Sequence, residues 1–342
     1  FHSDKLACKV VITGCNELAE RIRNVLESKW VVPKHHVITW LCFSPETDES
    51  KGHWGDYHDG IPVVRVKYDE LDKRIRDMDV NLVVPAVKES GMLEKLYAPL
   101  RKLRYQGVEV ISPLSVFEIY SGKTPVEFLT NRDLFHATLE SRLLHIFRVK
   151  RFIDIFVSVT AGLLLAPFAF LIAIAIKLSD QQAPIFYLQE RVGRFGKIFK
   201  IIKFRTMVPY AEAQSGPVWA GDDDKRVTRI GKFLRRFRLD EIPQLWNVLK
   251  GEMSIVGPRP ERPEIVTELA RVIPFFSERE NLLPGLTGWA QIQFPYGKSI
   301  EDAKRKLEYD IYYMKYMSIS LDLQIILRTL RIILFGVGES QS

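Results

Sequence analysis

Two acidic residues stand side by side in the stretch RLDEIPQLWNVLKGEMSIVGPRP, which covers residues 238–260. Asp240 and Glu241 precede a run with the apolar spacing of a helix, and Arg259 follows between two prolines. Carboxylates can act as nucleophiles, as acid–base groups or as metal ligands, and they can also simply cap a helix. The stretch therefore predicts either a helix cap or a reactive carboxylate pair near a rigidly placed arginine.

Basic residues occur at high density around this pair. Lys203 and Arg205 lie in the upstream segment KFRTM, and Arg235 belongs to an arginine run that ends just before the dyad. Guanidinium and ammonium groups bind phosphate oxygens, and flanking prolines restrict the backbone at Arg259. This rigid placement favours a phosphate site over a solvated basic surface.

The net charge of +7 arises entirely from the second part of the chain. Residues 1–148 contain 21 basic and 21 acidic residues, whereas residues 149–342 contain 28 basic and 21 acidic residues. An excess of cations favours an anionic partner such as phosphate, acidic lipid or nucleic acid. With 46% apolar and 27% charged residues, the composition is typical of a folded protein with room for two domains.

The first part of the chain alternates short β-rich runs with helical patterns, beginning with KVVITG and a helix after Gly14. This alternation predicts a parallel sheet covered by helices, and thus an α/β fold with a Rossmann-like domain over residues 1–115. The first turn, GCNELA, lacks the later glycines of a dinucleotide fingerprint. A regulatory or dimerising domain is therefore favoured over one that binds NAD, and residues 116–148 are predicted to be a linker.

Cysteine and histidine do not point to a metal or to a disulfide framework. Three cysteines without C-x-x-C spacing suit a reducing cytoplasm; they are Cys8, Cys15 and Cys42. Four histidines are expected in a polar loop region, where solvated side chains are favoured over metal ligands; they are His35, His36, His53 and His58.

An apolar segment, IFVSVTAGLLLAPFAFLIAIAI, carries no charge from residue 155 to residue 176. A straight helix of this length would extend roughly 33 Å, which is enough to cross a bilayer. Pro167 lies near its middle, removes a helical hydrogen bond and predicts a kink. The alternative is a buried core helix within a large domain.

Basic residues stand at both ends of this segment, namely Lys150, Arg151 and Lys177. The tendency of basic residues to remain on the cytoplasmic side favours placing both ends on the same face of the membrane. A straight crossing cannot do this, so the sequence predicts a re-entrant helix over about residues 152–178 in a mainly helical, membrane-associated domain that covers residues 149–342.

Several motifs in order resemble the bacterial sugar transferases, the monotopic phosphoglycosyl transferases. These motifs are ERVGRFGKIFKIIKFRTM, RVTRIGKFLRRFRLDEIPQLWNVLKGEMSIVGPRP, LPGLTGWAQI and LEYDIYYMKYMSISLDLQIILRTL. The resemblance covers essentially everything after Val149, and the Rossmann-like domain resembles that of the larger members of the family. It implies transfer of a sugar 1-phosphate from a UDP-sugar to undecaprenyl phosphate with release of UMP. This would be the first membrane step of exopolysaccharide, capsule or O-antigen synthesis.

The resemblance also implies a role for each candidate residue. Asp240 would attack the β-phosphorus to form an aspartyl phosphosugar and would bind Mg²⁺, while Glu241 would be a second metal-site or acid–base group. Basic side chains would bind the substrates: Arg259 and Arg235 the phosphates, and Lys203 and Arg205 the nucleotide or the lipid phosphate.

The same resemblance implies a location and partners. We expect the cytoplasmic face of the bacterial inner membrane, contact with membrane lipid, a homodimer and no nucleic acid. A second hypothesis from another class is a catalytically inactive, membrane-bound scaffold that senses nucleotide sugars. The intact Asp-Glu pair and the Pro-Arg-Pro segment argue against this scaffold.

Overall fold

The computed structural model describes residues 7–28, 31, 34–43, 56–87, 90–138, 143–209, 226–294, 297 and 299–335. The chain divides into two compact units, Phe1–Thr124 and Pro125–Ser342. The boundary between the units lies inside the range 116–148 that the sequence predicts as a linker. Residues from this range pack into the core of the second unit: Val126 and Leu129 are buried there with Leu307.

In the described part of the first unit, six strands form one sheet. They are β1 (Cys8–Thr13), β2 (His35–Phe43), β3 (Tyr57–His58), β4 (Ile61–Val66), β5 (Leu82–Pro85) and β6 (Glu109–Val110). Their order is β3-β4-β2-β1-β5-β6, and every pairing is parallel except that of β3 with β4. The predicted α/β fold with a parallel sheet is therefore confirmed at this level.

Within the described residues of this unit, four helices accompany the sheet. They are α1 (Glu17–Leu26), α2 (Leu71–Arg76), α3 (Ser90–Tyr105) and α4 (Pro113–Ser121). Leu71, Leu96 and Leu100 of α2 and α3 are buried with Val11 of β1 in one apolar cluster. Such βαβ connections place helices on the faces of a parallel sheet, which is why apolar residues predominate in its central strands β1 and β5.

Two predictions for the first unit are wrong. Cys15 and Cys42 are joined by a disulfide, with their Cα atoms 5.5 Å apart. Their spacing in the sequence does not reveal this pair, because it depends on the adjacency of β1 and β2. Secondly, His35 and His36 lie in β2 and His58 in β3 rather than in a loop, whereas His53 is outside the described residues.

The second unit is mainly helical in its described part. Its helices are α5 (Asn131–Thr138), α6 (Leu143–Ser179), α7 (Arg229–Arg236), α8 (Gln244–Lys250), α9 (Pro263–Val272), α10 (Trp289–Gln293), α11 (Ile300–Tyr316) and α12 (Ile319–Phe335). Its strands are β7 (Phe186–Val192), β8 (Ile198–Phe204), β9 (Ser254–Val256) and β10 (Gly285–Thr287). β7 and β8 form an antiparallel hairpin, and β9 pairs with β10 in parallel.

Helix α6 contains the apolar segment and is continuous through Pro167 over its 37 residues. Among the described residues it is the one helix whose length and apolar composition suffice to cross a membrane. Leu163, Leu164, Phe168 and Leu171 are each at least 60% exposed, so the protein itself does not cover this part of the helix. The alternative of a buried core helix is therefore wrong, and membrane association follows from the exposed apolar surface.

Both ends of α6 are attached to the same folded unit. Near its start, Arg151 donates hydrogen bonds to backbone carbonyls at the end of α8. Near its end, Ile176 is buried with Phe204 and Leu234 in an apolar cluster. The apolar middle of the helix is thus exposed between two regions that belong to the folded body.

Candidate active site

The acidic dyad lies on a turn of 3-10 helix, Leu239–Glu241, which leads directly into α8. The turn begins at Arg238, whose φ of 53° lies in the left-handed region that a side chain with a Cβ atom rarely adopts. Such strain costs roughly 1–2 kcal/mol and often occurs at functional sites. Asp240 is 8% exposed and Glu241 7%, so both carboxylates are held in a largely dry environment.

Glu241 is surrounded by cations. Its Oε1 atom is 2.9 Å from Nζ of Lys203 and 2.9 Å from a terminal guanidinium nitrogen of Arg259. Arg238 lies 4.0 Å from Oε2. Burial alone would raise the pKa of Glu241, but the three cations outweigh it and hold that pKa well below its usual value. Glu241 is therefore an ionised structural partner that brings Lys203 and Arg259 together.

Asp240 differs from its neighbour because no described side chain donates a hydrogen bond to its carboxylate. Burial raises the pKa of Asp240, and the nearby charge of Glu241 raises it further, while Lys203 and Arg235 oppose this rise. A backbone N–H also favours the charged form of Asp240, but a buried carboxylate that lacks a side-chain hydrogen-bond donor is costly for the fold. Its oxygens are consequently available for a ligand, which suits a nucleophile or a metal ligand.

The Pro258–Pro260 segment fixes Arg259 more firmly than its prolines alone would. Three successive carbonyl oxygens each accept a hydrogen bond: that of Pro258 from the backbone N–H of Gly285, that of Arg259 from Arg279, and that of Pro260 from Arg191. The distances are 2.8, 2.7 and 3.0 Å, respectively. The guanidinium of Arg259 thus projects from a backbone that is held on both sides.

Gly257 allows this segment to approach β10 closely. A Cβ atom at Gly257 would lie 2.4 Å from the carbonyl oxygen of Leu283, which is too close for any side chain. The N–H of Gly257 donates to the carbonyl of Thr287 at 2.9 Å. The glycine therefore positions the start of the arginine segment through direct backbone packing.

Arg235 approaches the dyad from α7. Its Nε atom donates to the hydroxyl of Thr206 at 2.9 Å, and its charge acts on Asp240. Helix α7 can pack on the backbone at Thr206 because Gly231 has no side chain there. Lys203, Arg235 and Arg259 are thus brought together around the two carboxylates.

Arg205 does not lie beside Asp240 and Glu241. Its guanidinium lies 3.6 Å from Asp180 and donates to the carbonyl of Ile176 at 3.4 Å, at the end of α6. The alternating pattern of a strand would direct Lys203 and Arg205 to one face, but β8 ends at Phe204. The chain turns before Arg205, so this side chain supports the end of α6 and does not join the dyad.

Sequence reasoning missed two residues at the start of α6. Arg151 donates to the carbonyls of Val248 and Leu249 at 2.6 and 2.8 Å. Asp154 accepts hydrogen bonds from the hydroxyl of Ser254 at 3.0 Å and from the N–H of Ile255 at 2.8 Å. Arg151 and Asp154 are three residues apart and therefore lie on one face of the helix. This spacing is the sequence feature that could have predicted contact between that face and the rest of the protein.

The charges of the site suit an anionic substrate with more than one charge. Lys203, Arg235, Arg238 and Arg259 surround two carboxylates, which leaves an excess of positive charge. Among the residues that the structure describes, no group of three acidic, histidine or cysteine side chains could hold a metal ion. Mg²⁺ often takes only one or two protein carboxylates and completes its shell with water and substrate phosphates. The carboxylate of Asp240, to which no described side chain donates a hydrogen bond, fits that type of ligand.

A buried carboxylate among cations, in a unit that also carries an exposed apolar helix, suits an anionic substrate. The chain belongs to the bacterial sugar transferase family, whose model matches residues 145–336. The range begins just after α6 starts and includes every residue of the site.

Relatives agree with this assignment. The chain is 35% identical over 310 residues to the UDP-N-acetylgalactosamine-undecaprenyl-phosphate N-acetylgalactosaminephosphotransferase of Aeromonas hydrophila, covering 91% of this chain and 69% of that protein. It is 40% identical over 187 residues to the undecaprenyl-phosphate glucose phosphotransferase of Komagataeibacter xylinus. It is 39% identical over 183 residues to the UDP-glucose:undecaprenyl-phosphate glucose-1-phosphate transferase of Escherichia coli K12. The last two matches each cover 53% of this chain, but only 35% and 39% of those proteins.

Proposed function

We propose that the protein transfers a sugar 1-phosphate from a UDP-sugar to undecaprenyl phosphate and releases UMP. The observation that carries this proposal is the contrast within the dyad: Glu241 is paired directly with Lys203 and Arg259, whereas no described side chain donates a hydrogen bond to Asp240. The family and the names of its relatives support the substrate classes. An inactive scaffold would have no need to keep a buried carboxylate unpaired.

The reaction proceeds in two displacements. A carboxylate oxygen of Asp240 bonds to the β-phosphorus, the bond from that phosphorus to the bridging oxygen breaks, and UMP leaves with the bridging oxygen. An oxygen of the lipid phosphate then bonds to the same phosphorus and releases the Asp240 carboxylate. The products are undecaprenyl diphosphate sugar and UMP, so atoms and charges balance.

The cations act on the charge that develops during these steps. Arg259 and Arg235 bind phosphoryl oxygens, while Lys203 and Glu241 hold Arg259 in position. Mg²⁺ held by Asp240 would supply further neutralisation of the phosphate oxygens when bound. An anionic nucleophile can then approach a substrate that would otherwise repel it.

We further propose that α6 is re-entrant and that both of its ends lie on the cytoplasmic face of the inner membrane. A straight helix from Lys150 to Ile176 would be about 40 Å long, which is enough to put its ends on opposite faces of a bilayer. Both ends are nevertheless attached to one folded unit, through Arg151 and through the cluster around Ile176. That unit is charged and cannot lie within hydrocarbon, which supports a helix that enters and leaves on one side.

Cysteine labelling tests this arrangement. Arg148→Cys and Gln182→Cys place thiols at the two exposed flanks of α6. We expect a membrane-impermeant reagent to label both thiols only in inverted membrane vesicles. Labelling of one flank in each vesicle orientation would rule out the re-entrant helix.

The role of the first unit and the oligomeric state are two separate proposals. The parallel sheet supports a Rossmann-like regulatory domain, and the family resemblance supports a homodimer. Light scattering on the detergent-solubilised protein measures the mass of the assembly directly. A monomer at all concentrations would contradict the dimer.

The activity is tested by supplying a panel of UDP-sugars, undecaprenyl phosphate and Mg²⁺ to the solubilised protein and measuring UMP. We expect UMP with at least one sugar, and loss of this signal by about 10³-fold or more in Asp240→Asn. Full turnover by Asp240→Asn would refute the assignment of the nucleophile. The panel also identifies the sugar.

A further inference from the structure

The first turns of α6 hold the two segments that carry the candidate active-site residues. Arg151 binds the carbonyls of Val248 and Leu249 in the last turn of α8, the helix that follows the turn carrying Asp240. Asp154 binds the hydroxyl of Ser254 and the N–H of Ile255, in the strand that leads to Arg259. One face of the membrane helix therefore contacts both segments behind the site.

These contacts are well suited to fix the distance between the segment that carries Asp240 and the segment that carries Arg259. The last carbonyls of a helix lack the partners that interior ones have, and the planar fork of Arg151 binds two of them. The carbonyl of Val248 also accepts from the N–H of Gly251, at 2.9 Å. The cation also complements the negative end of the helix dipole of α8. Asp154 is 2% exposed, and its bonds to Ser254 and Ile255 lie in the buried interior.

We propose that Arg151 and Asp154 are positioning residues that set the distance from the Asp240 carboxylate to the Arg259 guanidinium. The first displacement needs both groups at the same phosphorus, and an error of about 1 Å in such an arrangement can cost 10²-fold in rate. The inference rests on the proposed function. It also gives the basic residue Arg151 a role beyond marking the cytoplasmic end of the helix.

A matched pair of variants distinguishes the positioning role of Arg151 from a general effect of positive charge near the membrane. Arg151→Met and Arg148→Met each remove one positive charge from the start of α6, but Arg148 is exposed and Arg151 binds α8. We expect Arg151→Met to lower the rate of UMP formation by about 10- to 100-fold with little change in KM for the UDP-sugar. Arg148→Met should keep the rate of the wild type.

The measurement is the burst of UMP formed without the lipid acceptor. Its amplitude counts competent sites, and its rate constant reports the geometry within each site. A normal rate constant with a reduced amplitude in Arg151→Met would mean a purely structural role and would overturn the proposal. Arg151→Lys, which keeps the charge but loses the fork, provides a milder variant if Arg151→Met does not fold, and we expect an intermediate rate constant.

Hydrogen exchange gives a readout that does not depend on activity. In Asp154→Leu the N–H of Ile255 loses its acceptor, so we expect faster exchange there, while Asp154→Asn retains an acceptor oxygen and should restore much of the protection. Unchanged exchange at Ile255 in Asp154→Leu would contradict the contact itself. Absence of UMP from the wild-type protein would instead contradict the proposed function, so the two failures are distinguishable.

Discussion

Two clusters of charged side chains in the second unit show how similar residues serve different ends. In the closed cluster, Lys150 contacts Asp322 at 2.7 Å and the hydroxyl of Tyr313 at 3.1 Å, and that hydroxyl donates to Asp322 at 2.6 Å. Every group there has a partner. In the open cluster around Asp240 and Glu241, cations outnumber carboxylates, and no described side chain donates a hydrogen bond to Asp240.

The difference indicates which cluster can bind a substrate. A saturated buried cluster contributes to the uniqueness of the packing, and a substrate could enter it only by breaking bonds already made. An unsaturated one costs stability and gains its missing partners from the ligand. We therefore expect changes in the closed cluster to affect folding first, and changes in the open cluster to affect activity first.

The largest effect on stability is expected from Asp322→Asn. The buried Lys150 would lose the carboxylate that it contacts directly, and breaking a buried ion pair typically costs about 3–5 kcal/mol. Unfolding in denaturant followed by tryptophan fluorescence measures this loss. Glu127→Gln breaks the more exposed ion pair with Lys304 and should cost less than about 1 kcal/mol. Equal losses of unfolding free energy in both variants would contradict the view that the closed cluster stabilises the fold more than a surface ion pair does.

A pH effect is expected from Asp310, which lies behind Arg259. Asp310 is 3.0 Å from Arg279, the residue that binds the carbonyl of Arg259, and burial raises the pKa of Asp310 to about 6. Because this pKa is above the unfolded value near 3.8, the contribution to stability is complete below pH 3.8 and is lost as the pH rises through 6. The loss amounts to about 3 kcal/mol.

Asp310→Asn tests this assignment because an amide does not titrate. We expect the free energy of unfolding of the wild type, relative to that of the variant, to fall between pH 4 and pH 7. A constant difference across this range would show that the carboxyl of Asp310 does not have a raised pKa.

A smaller effect is expected from Arg259→Lys, in the open cluster. Lysine keeps the charge but cannot bind Glu241 and a phosphoryl oxygen with one planar fork, so kcat/KM should fall about 10- to 100-fold. Stability should change little. Steady-state UMP release measures the effect, and Arg271→Lys, an exposed arginine of α9, serves as the control. A variant as active as the wild type would exclude Arg259 from the transition state.

The smallest effect on activity is expected from Arg205→Lys. Because Arg205 contacts Asp180 and Ile176 and not the dyad, KM for the UDP-sugar should remain within about threefold of the wild-type value. Lys203→Met, which removes a contact of Glu241, should raise KM for the UDP-sugar more than Arg205→Lys does. The reverse order would mean that Arg205 turns towards the substrate.

The sequence was sufficient to predict features that are revealed by the chemical type of a residue together with its local pattern. The alternation of strands and helices predicted the parallel sheet, and the unusual density of arginine around the dyad led to Asp240, Glu241, Arg235, Lys203 and Arg259. These residues can be found because each stands out by type or by its neighbours.

Features that depend on three-dimensional adjacency were not predictable in the same way. The disulfide from Cys15 to Cys42 requires two neighbouring strands, and the placement of Arg205 depends on where β8 ends. Arg151 looked like a charge that flanks a membrane segment, yet it binds the end of α8. Its role becomes visible only when the carbonyls that it satisfies are known.

The central claim is that Asp240 is the nucleophile, and mass spectrometry of the protein incubated with UDP-sugar and no lipid acceptor tests it most directly. We predict a mass increase equal to one phosphosugar on the peptide that contains Asp240, accompanied by one UMP per competent site, and neither signal in Asp240→Asn. An active enzyme that forms no adduct, or forms it on another residue, would contradict the account.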